Sequence, residues 1–219
     1  NIQLLNGHLW ITTNWNGTYC YRPETDELRK IKPANKHLDD MLVSSIAMKD
    51  EQTFLMATPY SILRIAFTGT DYIYDDLETT EMSFDNLTYD SFINNRINKL
   101  YVDRKNKVVW LGTFGKGLLK SNMQDNQVKR ILLDKDIYNV NGVVQDAHGY
   151  VWLTTEYHGI WKSNSNQFSS ATKFSLWENS KSKGRYTIYR DRSGSLWIAD
   201  DEGVVQWLNP LSNHRVEFR

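Results

Sequence analysis

The chain has 219 residues, of which 40% are hydrophobic, 24% charged and 13% aromatic. This composition supplies enough apolar residues for a core and excludes a disordered chain. The formal net charge is zero and no apolar run is long enough to span a bilayer, so neither nucleic-acid binding nor direct membrane insertion is expected of this segment.

Short β-branched and aromatic runs alternate with turn residues along the chain, which predicts many short strands. One four-residue block recurs at intervals of 42 to 55 residues. It has two apolar residues, a small residue, and then Thr or Asp. The five blocks begin at Trp10, Leu55, Trp110, Trp152 and Trp197. Repeats of this length are typical of four-stranded units, so we predict an all-β β-propeller of about five four-stranded antiparallel blades.

The five predicted repeats form a single propeller region and cover residues 1–40, 41–93, 94–136, 137–181 and 182–219. Each repeat reads as strand, turn, strand, loop, strand, turn, strand. The apolar residue that opens each block is expected to wedge between neighbouring blades, and the small residue two positions later shares its face. The single cysteine, Cys20, alternates with aromatic residues in a predicted strand and is expected to be buried and inert.

Two further positions repeat around the blocks. An Asp ends the first strand in repeats three to five, where its carboxylate is expected to accept hydrogen bonds from the turn that follows. A Gly opens the third strand. These residues are Asp103, Asp146, Asp191, Gly117, Gly159 and Gly203. Repeat two carries an acidic insertion at residues 69–95, which we expect to be a solvated loop rather than a cation site.

The string from Asp146 to Thr155 with Gly159-Ile160, and that from Asp191 to Asp200 with Gly203-Val204, resemble the two-component regulator propeller repeat. Asp103 to Leu118 matches with one extra turn residue. The resemblance implies the periplasmic sensor region of a Bacteroidetes hybrid two-component histidine kinase. Such regions contain paired propellers, usually of seven blades, which sense the breakdown products of polysaccharides. Five repeats then indicate an incomplete portion of a larger ring, although a closed five-blade ring stays open as an alternative.

The loops between second and third strands are expected to share a face with the connections between blades. Aromatic rings beside carboxylates and amides in these loops suit stacking on sugars and bonding to their hydroxyl groups. The candidate ligand-binding residues are Trp15, Tyr60, Phe114, Lys116, Glu156, Tyr157, His158, Asp200 and Asp201. The histidines are scattered without a metal-binding spacing, so we expect no metal and no cofactor.

Two other classes of function are open. The chain could be a scaffold for protein–protein interaction, and the resemblance implies self-association of the full-length sensor. It could also be a propeller glycosidase or lyase, which needs two carboxylates on one face. Glu156, Asp200 and Asp201 are candidates for that role by location alone. We favour a sensor with no catalytic residue in this segment and a periplasmic location.

Overall fold

A computed structural model of the chain describes residues 2–5, 7–13, 16–31, 42–58, 62–66, 78–82, 96–123, 128–131, 133, 137–163, 171–174 and 184–218. Within those ranges every regular element is a β-strand. The strands form five four-stranded antiparallel sheets, and consecutive strands are neighbours in each sheet. The predicted fold class, an all-β propeller built from five blades, is confirmed.

The strand bounds of the five blades are as follows. Blade 1 has β1 (Ile2–Leu5), β2 (His8–Thr12), β3 (Thr18–Arg22) and β4 (Glu27–Lys30). Blade 2 has β5 (Ser45–Met48), β6 (Thr53–Ala57), β7 (Ile62–Ala66) and β8 (Glu78–Met82). Blade 3 has β9 (Ile97–Asp103), β10 (Val108–Thr113), β11 (Leu118–Asn122) and β12 (Val128–Ile131). Blade 4 has β13 (Val140–Gln145), β14 (Val151–Thr155), β15 (Ile160–Ser163) and β16 (Ala171–Phe174). Blade 5 has β17 (Tyr186–Arg190), β18 (Leu196–Asp200), β19 (Val205–Asn209) and β20 (His214–Phe218).

The chain divides into two compact units, which are residues 1–109 with 121–128, and residues 110–120 with 129–219. Unit 1 contains blades 1 and 2, and unit 2 contains blades 4 and 5. Each of these pairs of blades has its own apolar core. No helix long and apolar enough to cross a membrane occurs in the described part of the chain.

The core of unit 1 lies between blades 1 and 2. Trp10 of β2 is buried and its ring lies 4.7 Å, centroid to centroid, from that of Phe54 in β6. Cys20 is buried in the same cluster, which confirms its predicted burial. The other buried members of the cluster are Ile31, Val43, Ile46, Met56, Leu63 and Ile65. Trp10 therefore wedges between two blades, and Leu55, which opens the second block, is also fully buried.

The core of unit 2 lies between blades 4 and 5, where Trp152 of β14 is 1% exposed. It packs with Ile188, Leu196 and Ile198 of blade 5. Trp197 departs from the expected burial and is 37% exposed. The reason is strand alternation: its neighbours Leu196 and Ile198 point towards blade 4, so Trp197 projects from the opposite face of the sheet. That face is not buried.

Glycines allow close approach between strands of unit 2. A Cβ atom on Gly112 would lie 2.9 Å from the carbonyl oxygen of Val140. A Cβ atom on Gly142 would lie 2.5 Å from Thr154 Oγ1 and 2.7 Å from Ile188 Cγ2. Gly142 follows an irregularity in the pairing of β13 with β14. Gly112 belongs to the predicted series of small residues, whereas Gly142 is outside it and was missed.

The acidic insertion of repeat two is partly a strand. β8 lies inside residues 69–95 and pairs with β7 from Ile62↔Met82 to Ala66↔Glu78. The prediction of a loop is therefore wrong for β8, because Thr79 and Thr80 favour a strand and the whole of β8 pairs with β7. The remaining acidic positions of the insertion lie outside the described residues.

Candidate functional site

In blade 4, the turn between the first and second strands is organised by one carboxylate. Asp146 Oδ1 accepts hydrogen bonds from the backbone N–H groups of His148 at 2.9 Å and Tyr150 at 3.0 Å. Its other oxygen, Oδ2, accepts from the indole Nε1 of Trp152 at 2.9 Å. One carboxylate thus fixes both the turn and the wedge tryptophan. Asp103 of blade 3 binds the backbone and side-chain nitrogens of Asn106.

At the opposite end of the blades, the last residue of the second strand closes the loop to the third strand. Thr113 and Thr155 donate their hydroxyl groups to the carbonyl oxygens of Gly117 and Gly159, at 2.9 Å and 2.7 Å. Both glycines have positive φ, +71° and +78°. This conformation carries no penalty for a residue without Cβ. The loops therefore have a common shape that the sequence repeat encodes.

Asp200 takes the place of threonine in blade 5. Its Oδ1 accepts from the backbone N–H groups of Glu202 and Val204, both at 3.0 Å. The carboxylate that we proposed as a sugar ligand is therefore also the residue that closes its own loop. Two backbone hydrogen bonds complete the turn: Asp200 N donates to Val204 O at 3.1 Å, and Gly203 N donates to Asp200 O at 3.4 Å.

The loops of unit 2 lie against the connections that lead into the next blade. Phe114 forms an antiparallel bridge with Asn139, and Glu156 forms one with Arg185. Gly115 N donates to Tyr138 O at 2.9 Å and to Asn139 Oδ1 at 3.0 Å. The expected sharing of a face by loops and connections is thus confirmed here. We refer to residues 114–117, 138–139, 156–159, 184–185 and 200–203 as the loop edge of unit 2.

Glu156 is the centre of the loop edge and is only 9% exposed. Its Oε2 accepts from Asn139 Nδ2 at 2.8 Å, and its Oε1 accepts from Arg185 Nη2 at 2.9 Å. The hydrogen bond and the charge of Glu156 raise the pKa of Arg185 above its usual value, with smaller contributions from Tyr157 and Asp201. The buried carboxylate is therefore paired with an exposed guanidinium group.

Tyr157 follows Glu156 and is held in an unusual conformation. Its φ is +68°, a region that a tyrosine seldom adopts, and its side chain is 67% exposed. Its backbone N–H donates to Gly184 O at 3.1 Å. His158 Nδ1 lies 3.0 Å from the carbonyl oxygen of Glu156. The loop thus presents an aromatic ring to solvent at a strained position, as functional sites often do.

Asp201 completes the group. A Cβ atom at Gly184 would lie 1.8 Å from Asp201 Oδ1, so this glycine leaves the space that the carboxylate occupies. Asp201 also contributes to the raised pKa of Arg185. Four side chains of three chemical kinds therefore meet at one junction: the carboxylates of Glu156 and Asp201, the ring of Tyr157 and the guanidinium of Arg185.

The structure brings some of the predicted site residues together and places others in a neighbouring loop. Glu156, Tyr157, His158 and Asp201 come together, while Phe114 and Lys116 lie in the preceding loop, which joins the group through Asn139. Trp15 and Tyr60 lie outside the described residues. Sequence reasoning missed Asn139 and Arg185, because neither belongs to the repeated blocks. Their only sequence signal is a polar residue directly before a first strand.

Comparisons with known proteins identify solved structures that share the fold of this chain. No family model and no curated protein matches the chain. Solved structures do match, and the likeness is one of fold. The extracellular domain of a protein classed as a one-component system from B. thetaiotaomicron has a TM-score of 0.69 at 18% identity, covering 94% of this chain and 26% of that one. The corresponding domain of a protein classed as a hybrid two-component system, from the same organism, has a TM-score of 0.65 at 18% identity, covering 95% and 26%.

An enzyme shares the fold as well. The GH74 enzyme of Niastella koreensis has a TM-score of 0.69 at 13% identity, covering 99% of this chain and 36% of that one. The chain thus spans about a quarter of the length of the two extracellular domains. At these identities the comparisons establish the β-propeller fold that this chain has in common with them.

Proposed function

We propose that this chain is the ligand-sensing propeller segment of a hybrid two-component histidine kinase, located in the periplasm, and that it binds oligosaccharide at the loop edge of unit 2. The fold that it shares with two extracellular domains of signalling proteins supports the sensor role. The binding of sugar is our inference from the residues at the edge. The segment itself catalyses no reaction in this proposal.

The observation that carries the proposal is the junction around Tyr157. An exposed aromatic ring offers an apolar face on which the C–H face of a pyranose can stack. Glu156, Arg185 and Asp201 place charged hydrogen-bonding groups in the same junction, and such groups can orient sugar hydroxyls. Few convergent polar groups beside an aromatic surface are typical of binding sites for small molecules.

The same contacts argue against glycoside hydrolysis. A glycosidase needs one carboxyl group that carries a proton and a second at a defined separation. Both oxygens of Glu156 accept hydrogen bonds, one of them from a guanidinium group. Asp200 Oδ1 accepts two backbone N–H groups. These contacts hold the carboxylates as acceptors, which suits binding and positioning better than proton transfer.

The test is calorimetric titration of the 219-residue chain with a panel of oligosaccharides from plant polysaccharides. We expect at least one to bind, and Tyr157→Ala to weaken it by about tenfold, which corresponds to the loss of a stacking contact. Tyr189→Ala is the matched control. Tyr189 is 64% exposed but lies in strand β17, away from the loop edge, so its loss should leave the affinity unchanged.

Three results would contradict the proposal in different ways. Equal losses in Tyr157→Ala and Tyr189→Ala would place the sugar elsewhere. Hydrolysis products that disappear in Glu156→Gln would favour a glycosidase. Stable dimers in light scattering, with no oligosaccharide bound, would favour the scaffold.

A further inference from the structure

The loop edge of unit 2 carries more negative than positive side chains. Its two cations face four carboxylates in number. The cations are Lys116 and Arg185, and the carboxylates are Glu156, Asp200, Asp201 and Glu202. Three of these carboxylates are consecutive, from the last residue of β18 into the loop that leads to β19, whereas Lys116 lies in the loop of blade 3. The negative charge is therefore concentrated on the side of blade 5.

Arg185 lies between two of the carboxylates. Its Nη2 donates to Glu156 Oε1 at 2.9 Å, and the Glu156 side chain is only 10% exposed. On its other side, Arg185 precedes Tyr186, which pairs with Asp200, and the charge of Asp201 acts on the same guanidinium group. Because Glu156 already compensates the charge of Arg185, the three side chains of Glu156, Arg185 and Asp201 together carry one net negative charge.

Asp201 is also close to the exposed ring of Tyr157, since both residues contact Gly184. The backbone N–H of Tyr157 donates to Gly184 O at 3.1 Å. The carboxylate of Asp201 occupies the space where a Cβ atom of Gly184 would lie. Tyr157 and Asp201 are both exposed. A sugar that stacks on the Tyr157 ring therefore has the Asp201 carboxylate beside it.

This arrangement disfavours a ligand with a carboxylate of its own. Such a ligand needs a guanidinium group, which binds carboxylates through two parallel hydrogen bonds. To reach Arg185 it would have to displace Glu156, whose buried carboxylate would then keep only the bond from Asn139. It would also be repelled by Asp201. An ammonium group on the ligand has neither cost and is attracted by Asp201.

We propose that the loop edge of unit 2 selects oligosaccharides by charge: it favours sugars with a free amino group, accepts neutral sugars and rejects sugars with a carboxylate, and Asp201 determines this selectivity. The inference rests on the proposed function, because it assumes that the sugar stacks on Tyr157. The carboxylates do not form the site by themselves. The ring of Tyr157 binds the sugar, and Asp201 supplies the repulsive contact on which discrimination against the wrong ligand depends.

The test measures the binding of three probes to the 219-residue chain by calorimetry: cellotetraose, β-1,4-mannotetraose and β-1,4-galactotetraose. Each probe is used unmodified, with its primary hydroxyl groups oxidised to carboxylates, and with those groups replaced by amino groups. We expect the carboxylate form to bind about tenfold more weakly than the neutral form, and the amino form about fivefold more tightly, at an ionic strength of about 0.01 M. Both differences should shrink at about 1 M, because salt screens exposed charges.

Asp201→Asn removes the charge and keeps the size of the side chain. We expect both differences between the forms to fall to about twofold in this variant. The ratios between forms are the readout, so an equal loss of affinity for all three forms does not mimic the effect. Glu24→Gln is the matched control. Glu24 is exposed in the turn between β3 and β4 of blade 1, and its replacement changes the net charge equally, so the selectivity should persist.

The other outcomes separate this inference from the proposed function. Carboxylate forms that bind the parent chain as tightly as the neutral forms would overturn the charge selectivity and leave sugar binding intact. Selectivity that persists in Asp201→Asn, or that Glu24→Gln removes to the same extent, would show that Asp201 does not determine it. Binding that Tyr157→Ala leaves unchanged would place the sugar elsewhere, and binding of no form of any probe would overturn both proposals.

Discussion

Blades 4 and 5 contain the same hairpin in two different surroundings. In both, an Asp Oδ2 accepts a hydrogen bond from the indole of the tryptophan six residues later, at 2.9 Å for Trp152 and 2.8 Å for Trp197. Trp152 is buried and Trp197 is over a third exposed. The local motif therefore fixes the turn and the direction of the indole. It does not bury the ring, because burial depends on the sheet that packs against it.

The largest effect should come from removing the buried ring. We expect Trp152→Ala to lower the free energy of unfolding by about 3–5 kcal/mol, since it empties the core between blades 4 and 5. Trp197→Ala, the matched change in blade 5, should cost about 1 kcal/mol. Urea denaturation of the two variants measures the difference. Equal losses would mean that Trp197 is as buried in solution as Trp152.

A smaller loss is expected where blades 4 and 5 approach most closely. Gly142→Ala should lower the free energy of unfolding by about 1–3 kcal/mol, because the new Cβ meets Ile188 and Thr154. Gly203→Ala is the contrasting variant in blade 5: its site has open space but a φ of +87°. That change should cost about 1 kcal/mol of backbone strain alone. Thermal unfolding of both variants tests this order, and an unchanged midpoint for Gly142→Ala would contradict the close packing.

Replacing the turn aspartate should lower stability by different amounts in blade 4 and blade 5. Asp146→Ala leaves the buried indole N–H of Trp152 without its acceptor, which is expected to cost about 1–3 kcal/mol. Asp191→Ala leaves a partly exposed indole that water can reach, so the loss should be smaller. Chemical denaturation monitored by tryptophan fluorescence gives both values. A larger loss for Asp191→Ala would reverse the comparison.

The smallest effect concerns pH. Hydrogen bonds from the Ser193 hydroxyl, the Trp197 indole and the backbone N–H groups of Ser195 and Ser193 lower the pKa of Asp191 below its usual value of 3.8. A carboxyl group with a lowered folded pKa contributes stability that is complete above its unfolded pKa and is lost as the pH falls through its folded pKa. Asp191→Asn should therefore flatten the dependence of stability on pH below about 4. Denaturation curves of the parent and the variant between pH 2 and 6 measure it, and identical slopes would contradict the shift.

The sequence predicted the blades well because each blade repeats a local pattern. The blocks from Trp10 to Trp197 and the aspartates before them lie within one hairpin, so their geometry depends on neighbours in sequence. The prediction from sequence failed for β8, because the acidic residues of the insertion outweighed the signal of Thr79 and Thr80, and the pairing with β7 is not visible in the sequence. It failed for the exposure of Trp197, which depends on a neighbouring sheet rather than on the motif.

The candidate site was predicted only in part for the same physical reason. Glu156 and Tyr157 follow a repeated block and could be placed on the loop edge by counting. Arg185 binds Glu156 across 29 residues of sequence, and Asn139 binds it across 17. Neither partner belongs to the repeated blocks, so no periodic signal marks these residues. Long-range pairs of this kind become visible only when the strands have been assembled.

Glu156 also connects two neighbouring blades. Its carboxylate joins Asn139, at the entrance to β13, with Arg185, at the entrance to β17. The starts of two consecutive sheets are thus tethered to one side chain. A ligand that competed for the guanidinium group of Arg185 would break the contact to blade 5 and leave the contact of Glu156 with Asn139 in place.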